Sequence, residues 1–499
     1  MSAGTLDRPA WIPGVVRRAQ AIWAGTPLDE RVAVVATFRR WLAAHTAAAG
    51  ASVTHGARAS RAETLVAEVA PLLEAARFLE RSAARVLAPR TEGSRGRPAW
   101  LGGCRASVER LPWGVVLILG PANYPLMLPG IQVLQALVAG NAVVLKPGAG
   151  GAAAAALLRR GLRASGLPPH CLTVLEDSDE AGADALEQRV DHVVLTGARA
   201  TGEKVLARLA PRLTPATVEL SGHDACIVLP GADLDLTAQA LAFGATLNGG
   251  ATCIAPRRVL VPAALRADLE RRLVAALADR AAVALPARTA AQLEPVLREA
   301  RQSGARVECG GWSGAPAQGR FLPMLLTGVS PAMRVFDSDL GAPVLMTVPY
   351  SRLQEAVAFV NGARYRLGAS VFGPETEARA VASALDVGTV LVNDLVVPTA
   401  DPRLPFGGTG ASGYGVTRGR EGLLGMTRPR VTVVRAGRRR PHYARLAAAH
   451  APVIAALLRL VYGDAATRWR ALCSLPATVR ALNARTGNRY AITIRGEQS

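Results

Sequence analysis

Residues 114–147 read GVVLILGPANYPLMLPGIQVLQALVAGNAVVLKP. An unbroken apolar run, 114–119, leads into a turn rich in Gly and Pro, a helical stretch over 126–138 and a second apolar run, 142–145. Runs this short, without polar alternation, suit strands covered on both faces, as in parallel sheets. Gly120, Pro121, Asn123, Pro125, Pro129 and Asn141 interrupt the segment, so it reads as strand, turn, helix and strand rather than a membrane span.

The alternation continues downstream. An alanine-rich helix is predicted over 152–165, strands over 172–175 and 192–195, a helix over 201–209, and short apolar runs at 216–220 and 225–229. Strands at 258–261 and 389–393 and helices at 264–278, 287–305 and 351–361 make a second set. Strands alternating with helices of this length indicate βαβ units and a doubly wound α/β sheet. Upstream, residues 27–48 and 60–87 carry apolar residues at helical spacing, and residues 89–106 read as a connecting loop.

The chain has 499 residues, half of them hydrophobic, enough for two or three packed lobes. None of its six cysteines forms a CxxC pair or a zinc-spaced cluster, so neither a disulfide framework nor a metal site is expected, and a reducing cytoplasm is the natural compartment. The opening MSAGTLDRPAW lacks a basic stretch followed by an apolar one, so no secretory signal is expected. The net charge is +20, of which residues 431–499 contribute +10, with twelve arginines against Asp464 and Glu497. No basic platform interleaved with aromatics is present, which argues against nucleic acid. Val453, Ile454, Leu457, Leu458 and Val461 recur at helical spacing among arginines. That face could dock on the body of the protein or lie on a membrane as a basic amphipathic helix.

Four segments carry candidate chemistry. Asn123 follows a buried strand, where open α/β sheets bind ligands, and its amide could donate to an oxyanion; it could equally close a turn before Pro125. Lys146 ends the next strand on the same edge, and could be an ordinary solvated lysine. In His192–Gly202, a strand enters a turn with Gly197, Ala198 and Gly202 before a helix, a geometry that presents backbone N–H groups to phosphate, although Gly197-x4-Gly202 departs from the usual dinucleotide fingerprint. Glu219 lies in an apolar stretch that would raise its pKa toward that of a useful base, or it could be a strand-end ion-pair partner. Cys253 follows Gly249 and Gly250 and precedes a Pro and a strand; it could be a loop nucleophile or, as lone cysteines often are, a small core residue.

Taken in order, GPANYP, VVLKP, LTGARATG, VELSG, NGGATCIAPRRVLV, Asn393 and PFGG at 405–408 resemble the aldehyde dehydrogenase superfamily over roughly residues 25–432. The resemblance implies a Rossmann-like cofactor domain, a catalytic domain and a small bridging element used for oligomerisation. The corresponding boundaries are 1–219 with the bridge near 89–112, 220–405, a return segment 406–432 and a separate extension 433–499. It implies that Cys253 attacks the aldehyde and that Asn123 with the Cys253 N–H holds the oxyanion. Hydride then passes to NAD or NADP, and Glu219 activates water against the thioester. Lys146 resembles the residue that binds the adenosine ribose, Gly197–Gly202 the pyrophosphate-binding helix start, and Phe406 a support of the substrate funnel. A homo-oligomer is implied as well.

Three departures stand out. Lys146-Pro-Gly-Ala149 lacks a carboxylate usual in that string, which opens the way to NADP. In Ser338-Asp339-Leu-Gly-Ala-Pro343, Asp339 stands in for the ribose-binding Glu and Gly341 replaces an aromatic that backs the nicotinamide. Ser221-Gly-His223 has no reading from sequence. An acylating, CoA-linked enzyme usually lacks the Glu base, so Glu219 favours hydrolysis; a weakly active family member serving as a membrane scaffold is a further alternative. The basic, apolar tail points to lipophilic aldehydes met at a membrane surface.

Overall fold

The computed structural model describes residues 13–53, 58, 60–438, 440–443 and 445–486. The opening residues read for a secretory signal, 1–12, and the basic residues 487–499 lie outside the described residues. The chain divides into two compact units, Met1–Glu92 with Ser107–Thr432, and Gly93–Ala106 with Val433–Ser499.

The first unit holds two large sheets. Strands β1 (Val115–Leu119), β2 (Ala142–Lys146), β3 (Leu172–Val174), β4 (His192–Gly197) and β5 (Ala216–Leu220) form a parallel sheet in the order β5-β4-β1-β2-β3. All of β1 and β2 is buried, which is why those strands read as continuous apolar runs. The order reverses between β1 and β4, so the crevice beyond the carboxyl ends of these strands is a ligand site by topology. Asn123, Lys146, Gly197 and Glu219 all lie at or just beyond those ends.

The chain then enters a second sheet, in which β6 (Asp224–Val228), β7 (Pro256–Pro262), β8 (Arg320–Thr327), β9 (Val344–Tyr350), β10 (Gly368–Phe372) and β11 (Thr389–Val392) run parallel in the order β8-β9-β7-β6-β10-β11. Arg306–Trp312 and Val283–Ala284 each add an antiparallel strand to β8. The two-residue strand Gly413–Tyr414 returns to the first sheet, antiparallel to β5. Only three residues, 221–223, separate the last parallel strand of one sheet from the first of the other, so the Glu219 strand end and the Cys253 loop share one neighbourhood.

Helix α1 (Ala70–Leu87) and helix α2 (Met127–Val138) pack together, and every residue of α2 is buried. Residues 60–87 were expected as one helical block, but a single π-turn, Leu65–Val69, interrupts it. Such turns mark functional positions, and here the turn holds Glu68 fully buried. Glu68 accepts from the backbone N–H groups of Leu126 (3.0 Å) and Met127 (2.7 Å), so it satisfies orphan donors at the start of α2.

In the second unit, helices Ala451–Tyr462 and Ala465–Thr486 pack as a pair around Val453, Val479 and Leu482. Of the apolar repeat read from the sequence, Val453 is buried, whereas Ile454, Leu457, Leu458 and Val461 are exposed.

Candidate active site

Cys253 is carried by a loop that only certain residues can form. Asn248, Gly249 and Gly250 all adopt positive φ (54°, 60° and 81°). A side chain on Gly250 would meet the Ala342 carbonyl carbon and Pro343 nitrogen at 2.4 Å, so glycine is required there. Arg257, buried, donates to the carbonyls of Gly250 and Ala342 and so ties the cysteine loop to the segment holding Asp339.

Asn123 is held against the same loop. Its amide donates to the Ala251 carbonyl (2.7 Å), and its own carbonyl accepts from the Asn248 amide (2.8 Å). Tyr124, next in sequence, meets Thr252 through its hydroxyl at 2.7 Å. An amide carries two N–H donors, so one of those on Asn123 is left beyond its bond to Ala251. The Cys253 backbone N–H has no acceptor among the described residues. The loop that bears the thiol, and the Asn123 side chain held against it, thus carry two N–H groups that could serve as donors.

Glu219, at the end of β5, is fully buried with one oxygen accepting from the Thr417 hydroxyl at 2.8 Å and the other without a partner. Burial raises its pKa, while the Arg418 guanidinium and the Thr417 bond pull the other way. Glu219 and Cys253 line one cavity of about 140 Å³ with Tyr124, Phe406, Arg418 and a shell of aliphatic residues from 66–71 and 396–400. Phe406 is buried against Ile254, Leu367 and Cys253, which places it in the wall of that cavity. The Cys253 thiol lies well above the usual thiol range, first by burial and then by the charges of Glu219 and Asp224, with Arg418 opposing.

Arg418 was not singled out in the sequence. It is buried at φ 60°, ψ 175°, a strained setting for a residue with a side chain. It donates to the Thr399 carbonyl (2.7 Å), and its guanidinium sits 4.2 Å from the centroid of the Phe406 ring. It is the positive charge that favours ionised Glu219 and Cys253. Arg58 and Glu68 were missed too. Their 2.8 Å ion pair is buried, and Arg58 lies 4.7 Å over the Tyr124 ring. The one sequence signal for any of them is a charged residue inside an otherwise apolar or glycine-rich stretch.

The first sheet's crevice suits a dinucleotide. Helix α3 (Arg199–Leu209) starts at Ala198 with no side-chain cap, and its first turn carries no acid, so its leading N–H groups face an open end. A side chain on Gly202 would strike Leu220 at 2.8 Å, which accounts for that glycine through helix–strand packing. Lys146 ends β2 with its aliphatic stem against Gly182 and its amine 3.9 Å from Asp179. At Gly148 a Cβ would lie 2.2 Å from the Pro121 carbonyl carbon, so the turn after Lys146 requires glycine there; the carboxylate of related strings falls one residue later, at Ala149. Asp339 accepts from Ser221, two residues beyond Glu219, and so comes to the same crevice. Gly341 takes φ 54° with only Thr289 nearby, at 3.6 Å from a built Cβ. His223 is wholly buried, and burial, then the charges of Arg258 and Arg257, hold its imidazole well below its usual pKa.

Removal of the Arg418 charge is expected to move the acid limb of the pH–rate profile upward. Glu219 must be ionised to act as a base, its pKa is already raised by burial, and loss of the opposing charge raises it further. Arg418→Met should therefore lose activity at a higher pH than the parent, while Arg418→Lys keeps the limb near its original place. Identical limbs in the parent and both variants would show that this charge does not act on the base.

The aldehyde dehydrogenase family model matches residues 15–432. A 4,4'-diapolycopene aldehyde oxidase of Methylomonas sp is 31% identical over 83% of this chain and 79% of its own length. Among solved structures, a Mycobacterium tuberculosis aldehyde dehydrogenase complexed with NAD+ superposes with TM-score 0.77 at 26% identity, covering 85% of this chain and 90% of that one. An NADP-dependent glyceraldehyde-3-phosphate dehydrogenase of Bacillus halodurans, complexed with NADP, gives TM-score 0.77 at 28% identity, covering 84% and 89%.

Proposed function

The chain belongs to the aldehyde dehydrogenase family, and from that premise we propose that Cys253, Glu219 and Asn123 carry the oxidation of a lipophilic aldehyde to its acid. The oxidation itself, with NAD or NADP as acceptor, is the family's reaction. The single observation behind the assignment is that Cys253 and Glu219 open into one apolar cavity, with the Asn123 amide held against the loop that bears the thiol.

Cys253, once deprotonated, adds to the aldehyde carbon. The new oxyanion accepts from the Asn123 amide and the Cys253 N–H, whose value lies in being fixed before charge develops. The nicotinamide cofactor, when bound, supplies the acceptor for the hydride that leaves this carbon. Lys146 would hold the adenosine ribose, Gly197, Ala198 and Gly202 the pyrophosphate at the start of α3, and Asp339 the ribose nearer the reaction. Glu219 then takes a proton from water as that water attacks the thioester, and the Arg418 charge favours the ionised carboxylate against its burial. A base beside the thiol favours water over CoA as the acyl acceptor. The domain assignment that goes with these roles is 1–219 for cofactor and 220–405 for catalysis, with 406–432 returning to the first.

The lipophilic substrate is supported by the aliphatic cavity lining and by the similarity to a 4,4'-diapolycopene aldehyde oxidase. Peripheral contact of the extension with a membrane is supported by exposed Ile454, Leu457, Leu458 and Trp469 among Arg459, Arg468 and Arg470. No helix among the described residues is long and apolar enough to cross a membrane. A homo-oligomer accords with the family and with the exposed Val431, Val433 and Val434 on the strand Thr427–Arg435.

The test is a chain-length series from acetaldehyde to decanal with NAD and with NADP, read by absorbance of the reduced cofactor. Specificity, as kcat/KM, should rise with each added methylene by about threefold until the cavity is filled. A flat or falling series would remove the lipophilic assignment without touching the chemistry.

A further inference from the structure

The walls of the substrate cavity do not end at its mouth. Val66, Ala67 and Pro71 line the cavity from one side, and 396–400 line it from the other. The same two segments run on into an open cleft of about 780 Å³, between later turns of α1 and residues 401–403, with Arg420 beside them. A smaller pocket lined by Phe78, Pro402 and Arg418 joins residues of both.

The cleft is basic. Arg77, Arg81 and Arg85 recur every four residues along α1 and so share one face. Arg403 and Arg420 stand on the other side, and Glu74 and Asp401 are the two acids in the lining. Arg77 is paired with Glu74 at 3.4 Å, Arg403 with Asp401, and Arg420 lies 3.9 Å from Glu421. Arg81 and Arg85 have no ion-pair or hydrogen-bond partner among the described residues. The rim beside this bank is apolar, with Val66 72% exposed, Val397 55% and Leu404 46%.

We propose that this arginine bank and its apolar rim seat the chain on an anionic phospholipid surface, with the substrate mouth turned toward the bilayer. The proposal deepens the reading of a lipophilic substrate and rests on it for its purpose, but not for its test. Three observations favour a lipid surface over other occupants. All five guanidinium groups are exposed and spread along a cleft, whereas a site for one small soluble anion draws a few buried polar groups to a point. Exposed aliphatic side chains next to the charges can enter the headgroup region, which a soluble phosphate would not reward. A chain of net charge +20 repels a second copy across such a bank.

The experiment uses the full chain and sucrose-loaded vesicles, either pure phosphatidylcholine or phosphatidylcholine with one-third phosphatidylserine, at low and physiological salt. Binding should be confined to the anionic vesicles and weaken with salt. Each arginine near such a surface is worth about a fivefold factor in partitioning, so Arg81→Glu with Arg85→Glu should lower binding by at least about tenfold. The milder Arg81→Gln, Arg85→Gln pair should lie between, and both should oxidise a short soluble aldehyde at the parent rate, which verifies the fold. Arg468→Glu with Arg470→Glu, in the extension, is the companion variant. Loss of binding only in that companion, or no binding by the parent, would overturn the proposal. So would calorimetric binding of pyrophosphate that the cleft variants abolish while vesicle binding stays intact, since the cleft would then serve a soluble anion. Vesicle binding through the cleft together with failure to oxidise long aldehydes would sink the substrate reading and leave the surface standing.

Discussion

Cys253→Ala is expected to abolish aldehyde-dependent reduction of NAD or NADP, by on the order of 10⁴-fold or more, as loss of a nucleophile does elsewhere. No other cysteine can replace it. Cys226, buried within β6, and Cys171, also buried, do not line the cavity that Cys253 shares with Glu219. Cys104, Cys309 and Cys473 lie outside the cavity. The substitution removes one sulfur atom from a loop position that is only part-buried, so the expected cost in stability is about 1 kcal/mol. Dinucleotide binding, followed by quenching of tryptophan fluorescence, should survive. Residual turnover within tenfold of the parent would place the nucleophile elsewhere.

Glu219→Gln should separate the two halves of the reaction. The amide keeps the shape and can still accept from the Thr417 hydroxyl, but it cannot take a proton from water. Acylation and hydride release do not need that proton transfer, so one equivalent of reduced cofactor should form in a burst. Release of the acid should then slow by about 10²- to 10⁴-fold, the usual worth of a positioned base. Because burial raises the pKa of Glu219, the parent should lose its hydrolytic step at a pH above the ordinary carboxylate range, and the variant should lack that limb. A variant with no burst would mean that Glu219 serves the thiol rather than the water.

The parallel strands were legible because burial on both faces leaves an unbroken apolar record. Val115–Leu119, Ala142–Lys146 and His192–Gly197 fall within two residues of where the sequence puts them. Arg320–Thr327 and Val344–Tyr350 were not anticipated, although they are well buried, because Arg320, Pro323 and Pro349 break the pattern. Arg306–Trp312 alternates Glu308 with Gly310 and Gly311 on a half-exposed edge and resembles a loop. The second helix of the extension was hidden for a related reason. Ala465–Thr486 spreads its apolar residues around the axis and contains Pro476, so no single face identifies it.

The site divides along the same physical line. Asn123, Lys146, Gly197, Glu219 and Cys253 could be singled out as candidates because each follows a strand or a glycine turn, where local sequence dictates what is presented. Arg418, Arg257 and the Arg58–Glu68 pair act through partners remote in the chain: Thr417 and Glu219 are 198 residues apart, and Arg257 reaches Ala342 across 85. Nothing local records such contacts. Gly148 shows a contact of the same kind: its backbone approaches Pro121 too closely for any side chain, which nothing in the local string records, whereas the absent carboxylate that opens the way to NADP falls at Ala149.

The most direct test is the mass of the intermediate. Glu219→Gln mixed with excess octanal and NAD or NADP, quenched in acid after one burst and digested, should yield a peptide containing Cys253 heavier by one octanoyl group. Finding the octanoyl group on any other residue, or a burst of reduced cofactor with no acylated peptide, would contradict the thioester mechanism at Cys253.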